Sequence, residues 1–86
     1  MSANILVVDD EIPVRDLLRD MLEEGDHKVM EAESATELEE KFDSKQPDVV
    51  LLDLGLPDAD GLDLIPKIKK SWPETEIIVL TGNASF

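Results

Sequence analysis

Three short aliphatic runs in this chain end on oxygen. Ile5-Leu6-Val7-Val8 leads into Asp9-Asp10, Val49-Val50-Leu51-Leu52 into Asp53, and Ile77-Ile78-Val79-Leu80 into Thr81. Taken singly, Asp9-Asp10 reads as a helix cap beside a dipole-favoured charge, Asp53 as the start of a turn, and Thr81 as nothing in particular. Their coincidence at three strand ends reads as a site. Parallel strands present their carboxyl ends along one edge of a sheet, where an open α/β sheet binds its ligand. Asp9, Asp10, Asp53 and Thr81 are therefore expected to meet in space. Carboxylates ~4 Å apart repel by about 4 kcal/mol per pair at an effective dielectric near 20, so such a cluster wants a cation. An all-oxygen donor set without His or Cys favours Mg2+, which takes a few carboxylates plus water and commonly a phosphate. Beside that ion a carboxylate can attack a phosphoryl donor and become an aspartyl phosphate, and Thr81 can donate to a phosphoryl oxygen.

The elements that must position these groups follow from hydrophobic period. The three runs lack polar alternation, which suits strands buried on both faces of a parallel sheet. After the first run, Val14, Leu17, Leu18, Met21 and Leu22 trace an amphipathic helical stripe, with Pro13 in its first turn and Gly25 as its C-terminal cap. Residues 28–31, with Val29 and Met30, form a short strand. Ser34-Ala35-Thr36-Glu37 is a capping box, so a second helix begins near Ala35, buries Ala35, Leu38 and Phe42, and ends by Gln46-Pro47. Leu62, Ile65, Ile68 and Trp72 mark a third helix that starts at Gly61 or Leu62, carries Pro66 early and closes at Trp72-Pro73. Strand and helix alternate throughout, which means an α/β fold of parallel strands joined by right-handed crossovers.

Composition bounds the function. The chain has 86 residues, read as one domain over 1–86, and a chain of this size buries about 60–65% of its unfolded surface. Aromatic residues make up only 3%, so Val, Leu and Ile must build the core. Twenty-one acidic against 8 basic residues give a net charge of -13, which repels phosphate backbones and anionic membranes and argues against direct nucleic-acid or membrane binding. The absence of cysteine removes disulfides and thiolate metal sites, the apolar runs are too short to span a bilayer, and MSANILVV lacks a signal-peptide pattern. A soluble cytoplasmic protein is expected. His27 is read as a solvated turn residue, Met21 and Met30 as core fillers, residues 37–41 as a solvated helix face, and Trp72 as packing at a helix end.

Three separately spaced blocks resemble the receiver domain of two-component response regulators: ILVVDDE (5–11), DVVLLDLGLPDADGLDLI (48–65) and PETEIIVLTG (73–82). The resemblance covers nearly the whole chain in register. It implies a flavodoxin-like fold with strand order 2-1-3-4-5 and phosphorylation by a partner sensor histidine kinase. By motif position, Asp53 resembles the phosphoacceptor and a metal ligand, and Asp10 a direct Mg2+ ligand. Asp9 would act through water, the Gly55 carbonyl would complete the protein ligands, and Thr81 would be the switch hydroxyl. Pro57 and Gly61 match the turn that shapes the loop after the acceptor strand.

One departure accompanies the match. The family places a Lys at the end of a fifth strand to pair with the phosphoryl group, and the last lysine here is Lys70, inside the third helix. A sheet of order 2-1-3-4 with three helices is expected, without the usual fourth helix, fifth strand and fifth helix. Its fourth strand would then be an open apolar edge, and self-association by edge pairing or exchange of elements is the expected consequence. A missing C-terminal effector domain is implied, with phrasing most like receivers joined to AAA-type ATPase transcription activators. Two other readings stand beside the phosphoacceptor switch. A haloacid dehalogenase-type phosphatase would need Asp-x-Asp, but Gly55 occupies the second position after Asp53. A degenerate or truncated receiver would act only as a structural or self-association module.

Overall fold

The computed structural model describes residues 2–80. Its elements are β1 (Asn4–Val8), α1 (Ile12–Glu24), β2 (Lys28–Ala32), α2 (Ala35–Glu40), β3 (Val49–Asp53), α3 (Gly61–Ser71) and β4 (Glu76–Leu80). The strands form one sheet in the order β2-β1-β3-β4, every neighbouring pair parallel, as expected. The expected α/β architecture with three helices is what forms, and the weakly marked β2 is a full strand.

The aliphatic runs divide their side chains between two cores by the period of two. Leu6, Val8, Val50 and Leu52 face Ala35, Leu38, Leu64, Ile68 and Trp72, while Ile5, Val7 and Leu51 face the side where Leu18 and Leu22 pack. Central position explains why β1 and β3 are buried along almost their whole length. The outer strands differ. β2 alternates in exposure, and on β4 Ile78 is 52% and Val79 38% exposed, because each has a sheet neighbour on one side only among the described residues.

The helix α1 corrects part of the sequence reading. Val14, Leu18 and Leu22, four residues apart, line the side turned to the sheet, whereas Leu17 and Met21, each rotated about 100° from that line, are mostly exposed, and Met30 on edge strand β2 is also exposed. Met21 and Met30 are therefore not core fillers. The C-terminal cap is Gly25, as expected, but the left-handed residue of the motif is the one after it. Gly25 has φ -86°, and Asp26 takes the left-handed conformation at φ 65°. Asp26 N–H donates to the Glu23 carbonyl and His27 N–H to that of Leu22, the crossed pair of a Schellman motif. His27 is half-buried rather than solvated, its Nδ1 accepting the Ala3 N–H at 3.0 Å.

α2 stops at Glu40, earlier than Gln46-Pro47 suggested, and the chain leaves it through tight turns at Lys41 and Phe42. Phe42 still reaches the core, edge-on to Trp72 with ring centroids 5.1 Å apart. α3 runs from Gly61 through Pro66 to Ser71, its start capped by the Asp60 side chain on the Leu62 N–H. Gly61 is required there by packing, since a Cβ would lie 2.6 Å from the Leu54 Cα.

Candidate functional site

Register builds the site. Val8 pairs with Leu52, so Asp9, the residue after β1, and Asp53, the last residue of β3, lie side by side at the same edge, and Asp10 follows in the loop to α1. The three carboxylates converge, with one oxygen of each lying within 4.8 Å of the others. Asp9 is 4% and Asp53 7% exposed, while Asp10 is exposed.

Asp9 and Asp53 also serve as turn residues. Asp9 Oδ1 accepts the Glu11 N–H at 2.8 Å, and Asp53 Oδ1 accepts the Gly55 N–H at 2.9 Å. The turn-forming and chemical readings thus hold together: each side chain is oriented by a local hydrogen bond that leaves its second oxygen free of hydrogen bonds among the described residues. Burial pushes the Asp9 carboxyl above its ordinary value of 3.8, and the charges of Asp53 and Asp10 add to that shift. The Glu11 N–H and the Arg15 guanidinium oppose it. The donors are hard oxygens, partly desolvated and mutually repelling, and this set fits a small divalent cation.

Gly55 lies against the Asp53 carboxylate, since a Cβ on it would stand 3.5 Å from Asp53 Oδ1. Pro57 is exposed and Gly61 is buried at the far end of the same loop. Thr81 lies outside the described residues. A cleft of about 490 Å³ opens beside Asp9 and Asp53, with Val14 and Leu18 of α1 on one side and Val79 and Leu80 of β4 on the other.

Two residues that sequence reasoning passed over support this edge. Arg15, with a side chain 11% exposed, donates to the backbone carbonyl of Asp9 and pairs with Glu31 at 3.2 Å, and Glu31 also pairs with Arg19 at 2.8 Å. Asp58, in the loop after β3, accepts the N–H groups of Ala35 and Thr36 at 2.8 and 3.0 Å and the Thr36 hydroxyl at 2.9 Å. The Asp58 contacts span 22 and 23 residues and the Arg15–Glu31 pair 16, so no local spacing betrays them.

Residues 5–86 match the model of the response regulator receiver domain, and the chain belongs to that family. It is 37% identical over 81 residues to the KDP operon transcriptional regulatory protein KdpE of Escherichia coli K12, an alignment covering 94% of this chain and 36% of KdpE. The chain thus spans about a third of the length of that relative. Among solved structures, a CheY-like receiver domain protein from Methanospirillum hungatei superposes with a TM-score of 0.90 at 32% identity, over 100% of this chain and 69% of that one. The response regulator TrrA of Thermotoga maritima, solved in complex with Mg2+ and BeF, superposes with a TM-score of 0.85 at 38% identity, over 94% of this chain and 70% of that one. No helix among the described residues is long and apolar enough to cross a membrane.

Proposed function

We propose that residues 1–86 form a single phosphoacceptor switch, in which Asp53 takes a phosphoryl group from a sensor histidine kinase with Mg2+ as cofactor. The observation that carries this reading is the convergence of Asp9, Asp10 and Asp53 at the ends of two neighbouring parallel strands. The kinship with TrrA, solved with Mg2+ and BeF, supports it. The carboxylates of Asp10 and Asp53 and the carbonyl of Gly55 would hold the ion directly, with Asp9 acting through a water. When bound, the ion offsets carboxylate repulsion and the charge on the transferring phosphoryl oxygens.

The chain's own part is orientation. The Gly55 N–H ties down Asp53 Oδ1, leaving the other oxygen to attack phosphorus while the bond from phosphorus to the donor breaks and the donor departs with that electron pair. Thr81, by its motif position, would donate its hydroxyl to a phosphoryl oxygen. The product adds roughly 1.5–2 negative charges to an acidic rim, so its retention depends on the metal. The role is a switch that assists its own phosphorylation and hydrolysis, not a turnover enzyme, within a cytoplasmic regulator whose effector domain controls transcription. Incubation with Mg2+ and acetyl phosphate should give a mass increase of one phosphoryl group that Asp53→Asn and chelation both abolish. An adduct that survives Asp53→Asn, or no adduct at all, overturns the reading.

The exposed Ile78 and Val79 on β4 favour a second property, self-association of this 86-residue chain by pairing with a second copy along that strand. Net charge opposes it, so added salt should promote it. Sedimentation across a concentration series is expected to show a dimer that Ile78→Lys dissolves. A monomer at every concentration overturns it.

A further inference from the structure

The loop between β3 and α3 carries Asp58, whose carboxylate is committed to a different helix. Ala35 N–H donates to Oδ1, and Thr36 donates twice to Oδ2, through its N–H and its hydroxyl. Glu37 N–H goes to Ser34 Oγ and Leu38 N–H to the Ser34 carbonyl, so the first four amides of α2 are all satisfied. Half of that capping is local, from Ser34. The other half arrives from a loop 22 and 23 residues further along the chain.

The same loop frames the acidic pocket. Gly55 N–H is on Asp53 Oδ1, Leu56 is buried in the core, Gly61 N–H reaches the Leu54 carbonyl, and Asp60 caps α3. The hydrogen bonds hold the loop to β3 and α3, and Leu56 anchors it in the core shared with Ala35 and Leu38. Among the described residues, Asp58 alone ties it by hydrogen bonds to the α2 side.

We propose that Asp58 is a positioning residue for the acidic pocket: clamped on the start of α2, it fixes the loop of residues 54–60 and so holds the Gly55 backbone against Asp53. The inference rests on the functional reading above. Hydrogen bonds to a carboxylate are about twice as strong as neutral ones, which suits an anchor in an exposed loop. The Ala35 and then the Thr36 N–H groups hold the Asp58 carboxyl below its ordinary value, keeping the acceptor ionised.

The test compares Asp58→Ala, Asp58→Asn and Ser34→Ala in the full chain, reading Mg2+ affinity by calorimetry at fixed ionic strength and thermal midpoint by circular dichroism. Ser34→Ala removes the local cap of α2 but leaves the clamp, so it reports what weakening α2 alone does. Asp58→Asn removes the same charge as Asp58→Ala but keeps one acceptor for the Ala35 N–H. Asp58→Ala is expected to weaken Mg2+ binding about tenfold, in the range for residues that orient metal ligands. Asp58→Asn should fall between it and wild type, and Ser34→Ala should stay within about twofold of wild type while lowering the midpoint. Wild-type affinity in Asp58→Ala, equal losses in the two Asp58 variants, or an equal loss in Ser34→Ala overturns the inference alone. No Mg2+ binding by the wild-type chain overturns the functional reading and the inference with it.

Discussion

At the scale of single residues, the site exploits a conflict between folding and function. Asp9 sits almost fully buried beside two other carboxylates, and its carboxyl is pushed up from 3.8 mainly by burial. A raised carboxyl pKa means that the folded state binds the proton more tightly than the unfolded chain. In metal-free protein the ionised Asp9 therefore costs stability above its folded pKa, and that cost disappears as pH falls through it toward 3.8. Asp9→Asn keeps an acceptor for the Glu11 N–H and removes the charge. At neutral pH without metal it should raise the thermal midpoint. The gap should close as the pH is lowered, while Mg2+ affinity falls at neutral pH. A midpoint at or below wild type in Asp9→Asn at neutral pH would show that repulsion is already relieved by other means. Asp9 and Asp53 were legible as candidates because each follows an aliphatic run. Asp58 was not, because it lies in a segment rich in turn residues and its partners are at the start of α2.

At the scale of elements, closeness of approach matters more than propensity. Gly61 begins α3 where a Cβ would meet Leu54 Cα at 2.6 Å and the Asp53 carbonyl at 3.0 Å, both backbone atoms that cannot rotate away. Gly61→Ala should destabilise by about 1–3 kcal/mol, the usual cost of overpacking, and should also lower the yield of Asp53 phosphorylation because Leu54 follows the acceptor directly. Chemical denaturation and the acetyl phosphate assay measure the two effects. Full stability in the variant would mean that α3 shifts freely, against the close contact seen here. The capping box at Ser34 and the extent of α3 were readable from spacing, since they are local, but the covered face of α3 was not: Leu62 is exposed, while Leu64, outside the expected stripe, is buried beside Ile68. Nor was the extent of α1's burial. Of the expected stripe, Leu18 and Leu22 pack against the sheet while Leu17 and Met21 are exposed, and which part of a wide stripe is covered depends on what packs there.

At the scale of the whole molecule, a net charge of -13 on 86 residues makes the fold sensitive to cations in two distinct ways. General screening should stabilise it with any salt, and a specific ion at the acidic edge should add more. A ligand that binds only the folded state stabilises by about 2.7 kcal/mol at a hundred times its Kd. Saturating Mg2+ should therefore raise the thermal midpoint by more than NaCl at equal ionic strength, and Asp53→Asn should lose the difference. Equal effects of the two salts would leave only screening. The apolar residues exposed on β4 belong to this scale as well, because they become a surface only once the sheet order is set.

Alternation of strands and helices, the parallel sheet and the carboxylates at its edge were all legible in residue order. These follow from a period of two or 3.6 and from residues adjacent in the chain, where local physics leaves few choices. Packing and individual contacts settled which apolar residues of α1 are covered, that Asp26 rather than Gly25 takes the left-handed turn, that Arg15 braces Asp9, and that Asp58 ties the loop after β3 to α2. None of these has a period for a sequence to display: the burial of α1 and the Asp58 clamp depend on packing between elements, and the other two on single contacts that no hydrophobic spacing encodes.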